Sequence, residues 1–337
     1  MYILGIESSC DETSAAVIEI DDGGRRILSN IVASQIDVHR LYGGVVPEIA
    51  SRAHIEAISS ITYEALETAG LKIDDIGAIA VTAFPGLIGA LLVGVNFAKS
   101  LAYSRNIPLI AVNHVKAHVA AAYLENEALK PPFLSLVVSG GHTSIYNVSN
   151  YTDFEEIGAT RDDAAGEAFD KIGRVIGLPY PGGAAMDKLA YEGDPKAVAL
   201  PTPALLGDNL DFSFSGIKTA ALNYINSETQ KGNEISRADV AASYTKRIVD
   251  AIVKKVGLAL DKTEAKTLVM AGGVAANSHI RSALTELCKK RGVEFITPSR
   301  GLCGDNAAMV AAAGYFEYQR GKRADTSLNA SAVDNWD

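Results

Sequence analysis

ILGIESSCDETSAAVIEI, residues 3–20, and FLSLVVSGGHTSIYNV, residues 133–148, decide the fold. Each is an apolar run, a short turn of small and polar residues, and a second strand-like run, which predicts a β-hairpin. Two further pairs repeat the plan. IAVTAFPGLIGALLVGVNFAKSLAY (79–103) and TLVMAGGVAANSHIRSALTEL (267–287) each read as a buried strand, a Gly-rich turn and a helix with apolar residues at helical spacing. LIAVNHVKAHVAAAY (109–123) and FITPSRGLCGDNAAMVAAAGY (295–315) each read as a strand, a polar loop and an Ala-rich helix. The hairpins are offset by about 130 residues and the later pairs by about 187, so the second copy carries an insertion.

Strands alternating with helices predict an α/β fold of two duplicated domains, each a parallel or mixed sheet covered by helices. Ligands of such sheets sit beyond the carboxyl ends of strands, so a nucleotide cleft is expected between the halves, lined by their Gly-rich turns. The first domain is expected over residues 1–130 and the second over 131–304, with the boundary at Lys130-Pro131-Pro132. The helix at about 305–320 is expected to pack back on the first domain, and the residues from Gly321 read as a frayed polar end.

The 337 residues are 48% hydrophobic and 21% charged, which supports two cores and disfavours disorder. A net charge of −9 excludes a surface that grips nucleic acid all over, since phosphate contacts need clustered Lys and Arg. Three cysteines without a CxxC pair fit a reduced, cytoplasmic setting. The start MYILGIESSCDETS lacks the basic region of a signal peptide. The stretch from Leu87 to Ala98 is interrupted by Gly89, Gly94 and Asn96, so no membrane span is expected.

NHVKAH (113–118) puts His114 and His118 at i and i+4, on one face of a helix if the segment is helical. Alone, such a pair is common as solvated or capped surface. The duplication adds a third group: Asp305, 187 residues after His118, opens the matching helix of the second copy and is expected to come across the cleft. Two histidines and a carboxylate suit zinc or ferrous iron with positions left open. A zincin protease needs Glu directly after its first His; Val115 stands there.

In VVSGGHT (137–143), Ser139, Gly140 and Gly141 leave backbone N–H groups accessible to a phosphate, although SGG alone also reads as a simple turn. Asp11 and Glu12, in the first hairpin turn, fit either turn capping or a place beside a metal, where a carboxylate serves as a general base; Glu7 reads as the end of the first strand. In AGGVAANS (271–278), Asn277 can donate to and accept from a ribose or base edge. In RDDAAGEAFDK (161–171), Asp163, Glu167 and Asp170 form one acidic stripe on a predicted helix. Gly94 to Ser100 lacks the P-loop glycine, and His39, His54, His142 and His279 read as ordinary surface or core histidines.

Eight motifs in order, GIESSCDETS, NHVKAH, VVSGGHT, RDDAAGEAFDK, PGG (181–183), FSFSGIKT (212–219), AGGVAANS and CGDNAAM (303–309), resemble the TsaD family of tRNA threonylcarbamoyladenosine transferases, formerly described as sialoglycoprotein endopeptidases. The resemblance runs from the first residue to about Tyr318, and the duplicated plan resembles the actin/hexokinase class of ATP-binding folds. It implies one divalent metal per subunit, Fe(II) or Zn(II), on His114, His118 and Asp305, with ATP or an adenylate in the cleft. It also implies nucleotide contacts at Val137, Val138, Ser139, Gly140, Gly141, Asp170, Gly183 and Asp187. The implied reaction moves threonylcarbamoyl from its adenylate, made by a separate enzyme, to the exocyclic amine of the adenosine 3′ to the anticodon, in tRNAs reading codons that begin with A. Asp11 and Glu12 are the candidates for its base. Implied partners are tRNA and, in bacteria, a smaller paralogous non-catalytic subunit and a P-loop ATPase, or a kinase-containing complex in archaea and eukaryotes. A homodimer is a further candidate, and no membrane partner is implied. The ending ASAVDNWD differs from the Arg/Trp/Pro ending of many relatives. Without the resemblance, an ATP-dependent small-molecule kinase or an ATP-sensing module fits the same plan; protein ligands to a metal separate it from both.

Overall fold

The computed structural model describes residues 1–21, 24–202 and 209–334. The chain divides into two units. The first holds Met1–Lys130, Asn150–Thr152 and Pro298–Asp337, and the second holds Pro131–Ser149 and Asp153–Thr297. Among the described residues no helix is long and apolar enough to cross a membrane.

The first unit begins with β1 (Tyr2–Glu7), β2 (Glu12–Asp21) and β3 (Gly24–Ser34), followed by α1 (Ile36–Arg40) and α2 (Pro47–Ala69). Then come β4 (Ala78–Phe84), α3 (Ile88–Arg105), β5 (Leu109–Asn113) and α4 (His114–Glu125). Its five-stranded sheet has the order β3-β2-β1-β4-β5. β1 pairs antiparallel with β2, Ile6 opposite Ala15, and parallel with β4, Leu4 opposite Ile79. All seven residues of β4 are buried, as expected for a central parallel strand covered on both faces.

The second unit repeats this sheet. β6 (Phe133–Val138), β7 (Thr143–Val148) and β8 (Phe154–Ala159) form the antiparallel part, and β9 (Thr267–Ala271) and β10 (Glu294–Ile296) add in parallel, in the order β10-β9-β6-β7-β8. Strand for strand this is the first sheet again. The insertion behind the larger offset is α5 (Ala165–Val175), α6 (Gly182–Leu189), α7 (Ser215–Gln230) and α8 (Arg237–Thr263), ahead of β9 and α9 (Ser278–Arg291).

The chain then re-enters the first unit through α10 (Arg300–Cys303) and α11 (Ala307–Gln319). The return starts at Pro298, a few residues before the expected one. α11 is Ala-rich and lies with its backbone against the sheet. A Cβ on Gly5 would sit 2.1 Å from the Ala307 carbonyl oxygen, and one on Gly314 would sit 2.3 Å from the Ala80 Cβ. Side chains at those two positions would push helix and sheet apart.

The end of the chain is not the frayed segment expected from its polarity. The Ala324 N–H donates to the Leu109 carbonyl (2.8 Å) and the Ser331 N–H to the Ala83 carbonyl (2.9 Å), while Lys99 Nζ holds the Leu328 carbonyl (2.8 Å). Leu328 is buried in a core with Leu4, Ile79 and Val81. The reason is that β5 is an edge strand, whose unpaired backbone groups accept a further segment. Residues 335–337 lie outside the described residues.

Candidate functional site

β5 delivers the chain directly into α4. Asn113 caps that helix, its side-chain oxygen accepting from the Lys116 N–H at 3.0 Å. His114 therefore stands in the first turn, and His118 one turn later on the same face, with ring centroids 4.7 Å apart. Asp305 precedes α11, which is capped by Asn306. Because α11 packs in the first unit, Asp305 reaches the histidines inside that unit; the expectation that it would come across from the second half is corrected. An apolar helix is buried by packing on β1 and α4, and its sequence ancestry as a repeat does not hold it with the second copy.

Ligating atoms of His114, His118 and Asp305 all lie within 4.8 Å of one another. Asp305 Oδ1 is 3.3 Å from His118 Nε2 and 3.6 Å from His114 Nε2. Two ligands bound at about 2.1 Å to a tetrahedral metal stand about 3.4 Å apart, so the spacing fits. His118 is buried, and among the described residues neither of its ring nitrogens makes a hydrogen bond of good geometry, although Nε2 faces Asp305. A buried imidazole that makes no hydrogen bond is costly unless something else satisfies its nitrogens. Two nitrogens and one carboxylate oxygen are the donor set of zinc or ferrous iron, and the residues fit such an ion.

A fourth side chain enters from β1. Glu7 ends that strand as expected, yet it is also fully buried; its Oε1 accepts from the Ser9 N–H (2.6 Å), and its Oε2 accepts from Thr82 Oγ1 (2.7 Å) and faces His114 Nδ1 (3.1 Å). Burial works against the Glu7 charge, but the His114 imidazole opposite holds its carboxyl below the usual range. Burial likewise opposes a charged His114, and the carboxylates of Asp305 and Glu7 outweigh it, pushing His114 up to about 9. The cluster is built to hold positive charge. Sequence reading missed Glu7; the available signal was a carboxylate ending an otherwise apolar strand.

The β1–β2 turn carries Asp11 and Glu12. It is held by the Leu87 N–H on the Ser9 carbonyl (2.8 Å), by the Gln35 N–H on the Asp11 carbonyl (2.9 Å) and by His54 Nε2 on the Cys10 carbonyl (3.0 Å). Asp11 is buried, and Glu12 is partly buried with Ser34 Oγ donating to it at 3.1 Å. Burial first, then the charges of Asp305 and Asp11, push the Glu12 carboxyl up to about 10. Burial beside Asp11 and Asp305 thus favours the protonated form of Glu12.

In the second unit, the expected nucleotide residues lie at the carboxyl ends of β6 and β9 and on α5 and α6. Val137 and Val138 are buried at the end of β6. Ser139 closes the hairpin: its N–H donates to the His142 carbonyl (2.8 Å) and its carbonyl accepts from the Gly166 N–H (3.2 Å). Gly140 and Gly141 are exposed, and among the described residues a Cβ on either would meet nothing within 4 Å. Asp170 on α5 accepts from the Gly183 N–H at 3.0 Å, which ties α5 to α6. Asp187 on α6 takes Ser278 Oγ and His279 Nδ1, each at 2.8 Å, at the start of α9. Asn277 caps α9 through its side-chain oxygen. The acidic stripe is corrected: Asp163 lies before α5, whose first turn is preceded by extended backbone at Ala164, and it is bound by Lys171 and Lys218.

Over residues 26–312 the chain matches the family described as TsaD, tRNA N6-adenosine threonylcarbamoyltransferase. A tRNA N6-adenosine threonylcarbamoyltransferase from Clostridium botulinum (strain 657 / Type Ba4) is 55% identical over 333 residues, 99% of this chain and 96% of that protein. Component A of (R)-2-hydroxyglutaryl-CoA dehydratase from Acidaminococcus fermentans superposes with a TM-score of 0.56 at 18% identity, covering 95% of this chain and 99% of that one. A ROK hexokinase from Thermus thermophilus gives 0.50 at 15% identity, covering 94% of this chain and 100% of that one. These two likenesses establish the fold, an actin/hexokinase-like architecture. On the family match and the identity along almost its whole length, the chain belongs to the TsaD family of tRNA N6-adenosine threonylcarbamoyltransferases.

Proposed function

We propose that this chain transfers the threonylcarbamoyl group from threonylcarbamoyl adenylate to the exocyclic amine of the adenosine 3′ to the anticodon, in tRNAs that read codons beginning with A. The family match and the 55% identity over 99% of the chain carry this reading. The amine nitrogen forms a bond to the carbamoyl carbon, the bond from that carbon to the phosphate oxygen breaks, and AMP leaves with the electron pair. The nitrogen's proton passes to the Asp11–Glu12 pair, which is our candidate for the base. The turn Val137–Gly141 receives the phosphate, and Asp170, Gly183, Asp187 and Asn277 receive the nucleoside; ribose hydroxyls are natural partners for the carboxylates. A divalent cation on His114, His118 and Asp305, iron(II) or zinc(II), supplies a Lewis acid for a substrate oxygen. A tRNA substrate, and cysteines that form no disulfide among the described residues, support a cytoplasmic setting. Partners of the bacterial kind, a smaller paralogous subunit and a P-loop ATPase, are proposed on the clostridial relatives.

The test is the ligand set. His114→Ala, His118→Ala and Asp305→Ala should each lose bound metal, measured by elemental analysis, together with transfer of labelled threonylcarbamoyl to tRNA, while circular dichroism stays native. Full metal content in Asp305→Ala would remove Asp305 from the site. Release of ADP in place of AMP would make the chain a kinase.

A further inference from the structure

We infer that Glu7 is the positioning residue of the metal centre: it fixes the proton of His114 on Nδ1, so that Nε2 stays open toward Asp305 and the ion. This rests on the proposed ligand set of His114, His118 and Asp305.

Glu7 Oε1 is committed to the Ser9 N–H (2.6 Å), a backbone donor that cannot change its role. Oε2 accepts from Thr82 Oγ1 (2.7 Å) and stands 3.1 Å from His114 Nδ1. Ser9 Oγ, also 3.1 Å from that nitrogen, can turn its lone pairs toward it. A carboxylate accepts only, so Nδ1 must carry a proton for this contact to be favourable. Nε2, 3.6 Å from Asp305 Oδ1, is then the lone-pair nitrogen when a metal binds. Glu7 is completely buried and tethered by two donors besides His114, so it cannot swing away. The partner on a ligating imidazole's other nitrogen sets its tautomer and orientation, and such partners are worth about ten- to hundredfold in metal affinity. His118 has no equivalent contact among the described residues. Control of orientation therefore falls on His114.

Glu7→Gln is the informative change, because it keeps the shape. The Ser9 N–H forces the amide oxygen to remain at the Oε1 place, which puts the NH2 group against His114 Nδ1. The Thr82 hydroxyl can rotate to accept from it. His114 is pushed to accept as well, which moves its proton to Nε2, where the ion binds. Zinc affinity should be measured by chelator competition, and the ligand field by the visible spectrum of the cobalt(II)-substituted protein. Glu7→Gln is expected to bind zinc about ten- to hundredfold more weakly than the parent, with a changed cobalt spectrum. Thr82→Val deletes a tether but leaves the carboxylate on Nδ1, so it should stay within about twofold of the parent, which a general loosening of the buried cluster would not. Parent-like affinity and spectrum in Glu7→Gln would overturn the inference, as would an equal loss in Thr82→Val. If Glu7→Gln does not fold, Glu7→Asp decides, since its carboxylate is one methylene too short to reach Nδ1. Weakened zinc binding there supports the role and unchanged binding overturns it. A parent protein that binds zinc no better than His118→Ala would refute the metal centre itself, and Glu7's role with it.

Discussion

Gly140 and Gly141 separate folding from function at the scale of single residues. Neither position has a left-handed backbone, and among the described residues an added β-carbon would meet nothing within 4 Å. The fold does not need glycine at these two positions, whereas a phosphate approaching the backbone does. Gly141→Val should leave the unfolding midpoint nearly unchanged, a shift within about 0.5 kcal/mol. Adenylate affinity, measured by calorimetry, should fall about tenfold or more, equivalent to at least about 1.4 kcal/mol. Unchanged affinity in the folded variant would reduce SGG to a hairpin turn. His118 presents the converse case. Among the described residues its two buried nitrogens make no hydrogen bond, so its place is explained by what it binds better than by what it stabilises.

Among the elements, α11 connects fold to site. It places Asp305 because its Ala and Gly face lets its backbone lie directly on β1 and β4, and that contact leaves no spare volume. Gly314→Ala would drive a methyl group to 2.3 Å from Ala80 Cβ. Overpacking of this kind costs about 1–3 kcal/mol, so denaturant unfolding should show a lower midpoint, and metal content should fall with the displacement of Asp305. Gly216→Ala is the control: among the described residues nothing lies within 4 Å of a Cβ there, and alanine in α7 should be neutral or slightly stabilising. Parent-like stability in Gly314→Ala would mean that helix and sheet adjust freely. The last segment follows the same logic of elements, since an open strand edge recruits residues whose own composition reads as disordered.

For the whole molecule, the decisive quantity is charge. The net charge is −9, and the basic residues that could form a patch are largely engaged in the second unit. Arg161 pairs with Asp211, Lys171 with Asp163 and Glu167, and Arg291 with Asp261. A polyanion gains no long-range attraction from such a surface. The chain alone should therefore bind tRNA no tighter than about micromolar at physiological salt, with affinity recovered when its partner proteins are added. Filter binding with and without the partners measures this. Nanomolar, weakly salt-dependent binding by the isolated chain would show that a local surface outweighs the net charge.

The repeated hairpins, the strand–turn–helix order and the helical spacing of His114 and His118 are legible in the amino-acid sequence. These are local, fixed by the periodicity of apolar residues and by turn chemistry, and neighbours in sequence suffice to read them. It also carried the family, because the eight motifs lie in one order along the chain. Only the tertiary structure decided that Asp305 belongs with the first unit, that Asp163 stands outside α5 in the grip of two lysines, and that the segment after Gly321 is tied to β4 and β5. It alone brought Glu7, 107 residues away in sequence, to His114 Nδ1. Each of these depends on which surfaces bury one another. A carboxylate at the end of a strand looks the same in sequence whether it faces water or a buried imidazole, and only packing removes the water.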